Sequence, residues 1–334
     1  MSAITSPTWA NMSNERREAF QRAVSVATAG TNLVQQYVNR IIQQLVIREF
    51  GALGTLDKKP GSGSQAIINR RTASAMAAAT SWVADTAGLT EVTGTYAQAT
   101  FNYQTLATRG RVTRKIRATG RSYIDVLAEE MVHKLDDFNN ELEDSLFIGD
   151  SGALANQIDG MLTQINAVAG QVVAQTAVAA GDSLTLAKLD ETIDAVKGAG
   201  ARSDLVIYGS FQGVRKLNAN LQAQQQFVNE TEIAAGFRVR TYDGIPIVVS
   251  TGMPDDMAWS GTSITAVSGE TTNPCTALAV VNKRYMWVDE LTPATMMPLA
   301  RDDSQFEQFD IFWDGALVLG NTLGCALLGG ISTG

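Results

Sequence analysis

The chain has 334 residues, 45% of them apolar and 18% charged, with one histidine and two cysteines. That length can bury one large core or two ordinary ones, and the low charge suits a surface largely hidden against partners. Cys275 and Cys325 are far apart and neither sits in a CxxC pattern, which argues against a metal centre and fits folding in a reducing cytoplasm. No cofactor is implied. The net charge of −8 hides a polarity: residues 1–120 hold 14 basic and 6 acidic residues (+8), and residues 121–334 hold 12 and 28 (−16). A chain polarised in this way can attract copies of itself.

Met1–Pro7 has no apolar core, so no secretory signal is expected. Within Asn32–Phe50, Val34, Val38, Ile41 and Leu45 recur at spacings of four, three and four, an amphipathic helix that needs a surface to lie on. Gly51 and Gly54 are expected to end it, and Lys58–Ser64 (KKPGSGS) reads as a flexible link. From Gln65 to Gly120 the pattern is extended and rich in Ala, Thr and Gly, with turns at Thr86–Gly88 and Gly94, so a long hairpin is expected. Two-stranded ribbons are marginal in water, so it must rest on another surface. On its returning strand Arg109, Arg111, Lys115 and Arg117 share one face by the two-residue period, and Val112 and Ile116 the other. Trp82, near the expected tip, could anchor in a neighbour's pocket or be buried in its own subunit.

Arg121–Ile148 carries the strongest helical signal. Ile124, Leu127, Met131, Leu135, Phe138 and Leu142 form an apolar stripe on a rod about 40 Å long, expected to face the subunit's own core. Its other faces bear Asp125, Glu129, Glu130, Asp136, Asp137, Glu141, Glu143 and Asp144, opposed within the helix by Arg121 and Lys134 alone. Acid in the last turn opposes the helix dipole, so a basic partner is expected.

The rest reads as mixed α/β. Leu186, Leu189, Ile193 and Val196 mark a helix closed by Gly198 and Gly200, Leu205–Tyr208 a buried strand, and Ser210 the cap of a helix bearing Phe211, Val214, Leu217 and Leu221. Asp243-Gly244 turns Phe237–Tyr242 into Ile245–Ser250, and Thr276–Val281, Arg284–Val288, Phe306–Leu319 and Leu323–Leu328 are further strands. Gly315–Gly334 is uncharged, but Asn321 and its six glycines favour buried strands over a membrane span, and no membrane partner is expected.

Two serine motifs resemble nucleophile blocks: Gly149-Asp150-Ser151-Gly152, and Gly181-Asp182-Ser183-Leu184 in the manner of GDSL hydrolases. A serine nucleophile needs a base, and the only histidine, His133, precedes both on the acidic helix. Turns or caps are the better reading, and no enzyme is expected.

The α+β order of elements resembles the HK97-fold major capsid proteins of tailed bacteriophages over nearly the whole chain. The resemblance rests on Asn139–Leu162 (NNELEDSLFIGDSGALANQIDGML), Thr185–Gly198 with Asp204–Val214, Tyr242–Ser250 (YDGIPIVVS) and Val281–Gly330. It implies an N-terminal arm (1–60), an E-loop hairpin (61–119), a peripheral domain on the spine helix (120–151 and 275–319) and an axial domain (152–274 and 320–334). It further implies self-assembly into pentamers and hexamers of an icosahedral shell around packaged double-stranded DNA bound non-specifically, in a virion assembled in the host cytoplasm. The E-loop's Arg109, Arg111, Lys115 and Arg117 would meet the acidic spine of the next copy. Some members lock their shells by an isopeptide bond between an E-loop Lys and an Asn. Here Gly61–Arg114 has no Lys and Arg301–Asp314 no Asn, so contacts or a decoration protein must supply that stability. A separate scaffolding protein and a portal are implied partners. The alternatives are an encapsulin-like nanocompartment, disfavoured by the long arm and E-loop, and a GDSL-type hydrolase, disfavoured by the missing histidine.

Overall fold

The computed structural model describes residues 51–73, 82–85, 87, 88, 91, 93–120, 125–223, 230–234, 237–299 and 305–334, all within the unit Val46–Gly334. The amphipathic stretch at Asn32–Phe50 lies outside the described residues. Helix α1 (Ala52–Thr55) and strand β1 (Lys58–Pro60) lead to β2 (Gln65–Ala73), β3 (Thr95–Asn102), β4 (Gln104–Thr113), α2 (Arg114–Gly120) and the long α3 (Val126–Ile148). Next come α4 (Met161–Asn166), β5 (Val172–Ala174), α5 (Leu186–Gly198), β6 (Leu205–Gly209) and α6 (Phe211–Ala223). They are followed by β7 (Glu230–Ala234), β8 (Phe237–Tyr242), β9 (Ile245–Val249), β10 (Met257–Trp259), β11 (Ile264–Ser268) and β12 (Cys275–Asn282). The chain closes with β13 (Met286–Pro298), β14 (Phe306–Leu319), a 3-10 turn at Thr322–Gly324 and β15 (Cys325–Ser332).

All eight residues of β12 are buried, which is why CTALAVVN reads as an almost continuous apolar run. Ala277, Ala279 and Val281 join a core shared with Leu142, Leu146 and Phe147 of α3. Leu278 and Val280 point the other way, into a core with Leu189 and Ile193 of α5 and Leu217 of α6. This strand sits in a mixed sheet ordered β11-β10-β12-β6-β9-β8-β7, with β15 on β12 and β5 on β15. The β8–β9 turn takes positive φ at Asp243 (50°) and Gly244 (73°), as a two-residue hairpin with right-handed twist requires. Ser210 Oγ accepts Gly213 N at 3.0 Å and so caps α6.

A second sheet, β1-β13-β14-β4, carries Phe309, Ile311 and Trp313 into the core shared with α3. Gly110 lies opposite Phe309, whose ring fills the place of a side chain; a Cβ there would stand 2.2 Å from Cζ. Strands β2 and β3 form a separate two-stranded sheet.

Several expectations change. The link at Lys58–Ser64 contains β1, which runs parallel to Val288–Glu290; Lys58 Nζ lies 3.0 Å from Glu290 and Lys59 Nζ 3.5 Å from the Trp287 ring centre. Gly54, expected to stop a helix, sits within α1. The returning basic strand stops at Thr113, opposite Phe306, where its partner β14 begins. Beyond it RKIRATG winds into α2, helped by long unbranched side chains and by Thr113 Oγ1 accepting Ile116 N at 3.3 Å. Lys115 and Arg117 therefore do not share a strand face with Arg109 and Arg111, and Ile116 is 51% exposed while Val112 is buried. Strand β12 belongs to the large sheet, and β4 pairs along its length with β14. No helix among the described residues is long and apolar enough to cross a membrane.

Gly110→Ala should lower the stability of the unassembled subunit by about 1–3 kcal/mol, because the Phe309 ring must shift. Gly54→Ala, with open space around its Cβ, should not; thermal denaturation of both checks this. Burial pushes the Cys325 thiol up to about 12. The unfolded chain gives up that proton first, near about 8.5, so stability is untouched below that pH and falls as pH rises toward 12. Denaturant titrations should show a shallower alkaline decline for Cys325→Ala.

Candidate subunit interface

Helix α3 starts where the Asp125 carboxylate accepts Leu127 N and Ala128 N at 3.3 and 3.5 Å. It ends at Gly149, where a Cβ would stand 2.3 Å from Ile158 O. Residues 121–124 lie outside the described residues. Along the remaining stripe Phe138 and Leu142 are buried and Leu127 and Met131 partly so, whereas Leu135 is 41% exposed beside Val132 at 54%. The subunit's own core thus covers this helix fully only from Phe138 onward.

The acidic residues separate into three groups. Asp125, Asp137 and Glu141 are exposed, with Lys134 Nζ 3.7 Å from Asp137. Glu129, Glu130, Asp136 and Asp144 are half-buried, and His133 Nε2 lies 3.9 Å from Glu129. Glu143 departs from the expected outward contact, since it is 1% exposed. Its Oε1 accepts Gly51 N at 2.6 Å, Ala52 N at 2.9 Å and Ser250 Oγ at 2.6 Å, and Oε2 accepts Leu53 N at 2.9 Å. This carboxylate caps α1 of its own subunit.

The basic set is also bound internally in part. Arg109 makes a bidentate pair with Asp310 at 2.7 and 2.8 Å, and these hydrogen bonds hold the Asp310 carboxyl below its usual range. Arg117 pairs with Glu307, and the Arg111 guanidinium stands 4.9 Å from the Phe306 ring centre. Lys115 lies exposed on α2.

The hairpin β2–β3 presents an outer face of Ile67, Asn69, Arg71, Tyr96 and Gln98, all exposed. Its inner face holds Ala66, which is buried, and Phe101, which packs on the core shared with α3. Trp82 is 87% exposed. The first serine motif is a turn, in which Asp150 Oδ1 accepts Gly152 N at 2.8 Å; in the second, Asp182 forms a parallel bridge with Ile331 and its Oδ1 accepts Ser183 N at 2.7 Å. Among the described residues no group of three or more His, Cys, Asp or Glu is placed to hold a metal ion.

A two-sheet body on a long spine helix, with an outlying hairpin, is the architecture of an HK97-like capsid subunit. The family described as SU10 major capsid protein matches residues 74–332, and the chain belongs to it: its function is to build a capsid shell. Among solved structures, the capsid of the native GTA particle superposes with a TM-score of 0.69 at 17% identity, covering 91% of this chain and 97% of that one. The cyanophage A-1(L) capsid gives 0.66 at 13% identity over 90% and 98%, and the SrpI encapsulin of Synechococcus elongatus 0.66 at 14% over 91% and 95%. No curated protein matches by sequence.

Glu143→Ala should cost the unassembled subunit about 3 kcal/mol or more, because three backbone N–H groups and Ser250 lose their acceptor inside the protein. Glu143→Gln keeps one acceptor oxygen and should cost less. Chemical denaturation measures both, and an unchanged midpoint for the alanine variant would overturn this assignment.

Proposed function

We propose that this chain forms the icosahedral head shell of a tailed phage, in pentamers and hexamers around double-stranded DNA held without sequence preference. The observation that carries the contact is the ribbon β2–β3: a sheet of two strands, exposed over its whole outer face, that gains support by lying on another surface. The surface it fits is the spine helix of the next copy, with exposed Asp137, Glu141, Val132 and Leu135. Arg109 and Arg117 pair with Asp310 and Glu307 inside the subunit, and Arg71 on the ribbon's exposed outer face adds to the basic side of that contact. Trp82 is its apolar anchor.

In this reading the hairpin ends near Tyr103, α3 and the four-stranded sheet form the peripheral domain, and the large sheet with α5 and α6 forms the axial domain. The role is structural and not enzymatic. Assembly proceeds in the host cytoplasm with a separate scaffolding protein and a portal, and a decoration protein can add stability from outside. The likeness to SrpI encapsulin supports a second reading, a compartment holding protein cargo.

Nuclease-resistant double-stranded DNA in purified particles is expected, and particles holding only protein would favour the compartment. Asp137→Lys with Glu141→Lys, and separately Trp82→Ala, should leave subunit melting unchanged while sharply lowering the yield of closed shells in electron micrographs. Normal shells from both variants would refute the proposed contact.

A further inference from the structure

Among the described residues the hairpin β2–β3 shares no strand pairing with the body, and Tyr103 alone separates it from β4. At this root Tyr103 Oη donates to Asp289 Oδ2 at 3.0 Å, and a Cβ on Gly61 would stand 2.6 Å from that hydroxyl. Gly63 has φ +81°, a state glycine enters without strain. The root is therefore a narrow pivot: one residue on one side and a glycine-bearing turn on the other. The nine residues of β2 span about 30 Å, so a 10° swing at the pivot moves the far end by about 5 Å.

Beyond the root, one side chain ties the ribbon to the body by hydrogen bonds among the described residues. Arg70 Nε donates to Gly320 O at 2.9 Å, and Nη2 donates to Leu319 O. The guanidinium also lies 5.9 Å from the ring centre of Phe101 on the paired strand. Among the described residues no carboxylate pairs with it, so the guanidinium fork reads backbone geometry. The two carbonyls mark where the chain leaves β14 in the small sheet and turns toward β15 in the large one.

We infer that Arg70 is a positioning residue for assembly: it locks the hairpin's angle to the junction of the two sheets and so presents it to a neighbouring copy in one attitude. The last step rests on the hairpin-to-neighbour contact proposed above; the lock itself does not.

Spin labels at Gln98→Cys on the ribbon and Ala187→Cys on α5 occupy exposed positions, and Cys275 and Cys325 are buried away from the reagent. In unassembled subunits the label-to-label distance distribution should be narrow with Arg70 present. Arg70→Ala should at least double its width with little change in melting temperature, and Arg70→Lys, which can reach one carbonyl, should fall between. An equally narrow distribution in Arg70→Ala would overturn the inference; if that variant does not fold, an unbroadened Arg70→Lys overturns it. Shell yield should fall in step with the broadening. A broadened distribution with normal shells would keep the lock and refute the hairpin-to-neighbour contact.

Discussion

Everything around the spine helix depends on where one buried carboxylate is allowed to sit. Taking a carboxylate out of water costs several kcal/mol, and among the described residues Glu143 is held by hydrogen-bond donors and not by a cation: three N–H groups and one hydroxyl meet its two oxygens. Two glycines make room for this arrangement. A Cβ at Gly51 would stand 2.7 Å from Ser250 Cβ, and one at Gly252 2.9 Å from Glu143 Cγ. The carboxylate thereby joins α1, the spine and the turn after β9. The neighbouring Thr55 hydroxyl lies 2.6 Å from Tyr208 Oη, and burial raises that phenol far above its ordinary value. The Tyr208 ring packs edge-on against Phe147 at 5.8 Å, so the polar knot is fastened to the apolar core.

This fastening divides the subunit into parts of different rigidity. The large sheet has both faces covered, and α3 closes the core it shares with the small sheet. The hairpin is less protected: among the described residues its strands pair with each other alone, and its outer face is exposed. Stability in proteins is distributed in this uneven way, and elements with few buried contacts open most easily. In the proposed assembly the rigid body fixes spacing, and the Arg70 contact sets the attitude of the less protected ribbon.

Where one physical signal dominated, the sequence was readable. The runs at Leu205–Tyr208 and Phe306–Leu319, the stripe from Leu186 to Val196 and the Asp243-Gly244 turn all lie in the predicted elements. Tertiary context decided the rest. KKP looks like linker, yet it becomes β1 because β13 offers an edge and Trp287 and Glu290 receive the two lysines. Thr113 ends its strand opposite Phe306, the first residue of β14, and α2 follows directly. Glu143 looked like any other acid on an acidic helix. A signal was present, since Leu146 and Phe147 stand three and four residues on and place position 143 on the buried side.

The charge polarity of the sequence takes on a different meaning in the fold. Lys58–Glu290, Arg109–Asp310 and Arg117–Glu307 each join a basic residue of the first 120 to an acid on β13 or β14. Part of the opposition between the two halves therefore guides the chain's own early segments onto its late strands. Exposed pairs of this kind are individually worth up to about 1 kcal/mol, so their value lies more in register than in stability. What they leave outward is narrower than the raw tally suggests: exposed Asp137 and Glu141 on the spine, beside the uncovered Val132 and Leu135. A surface mixing acid with exposed aliphatic side chains suits a partner that brings both cations and apolar atoms. The ribbon's outer face, with Arg71 directly across from Tyr96 and Ile67 farther along the same strand face, has that composition.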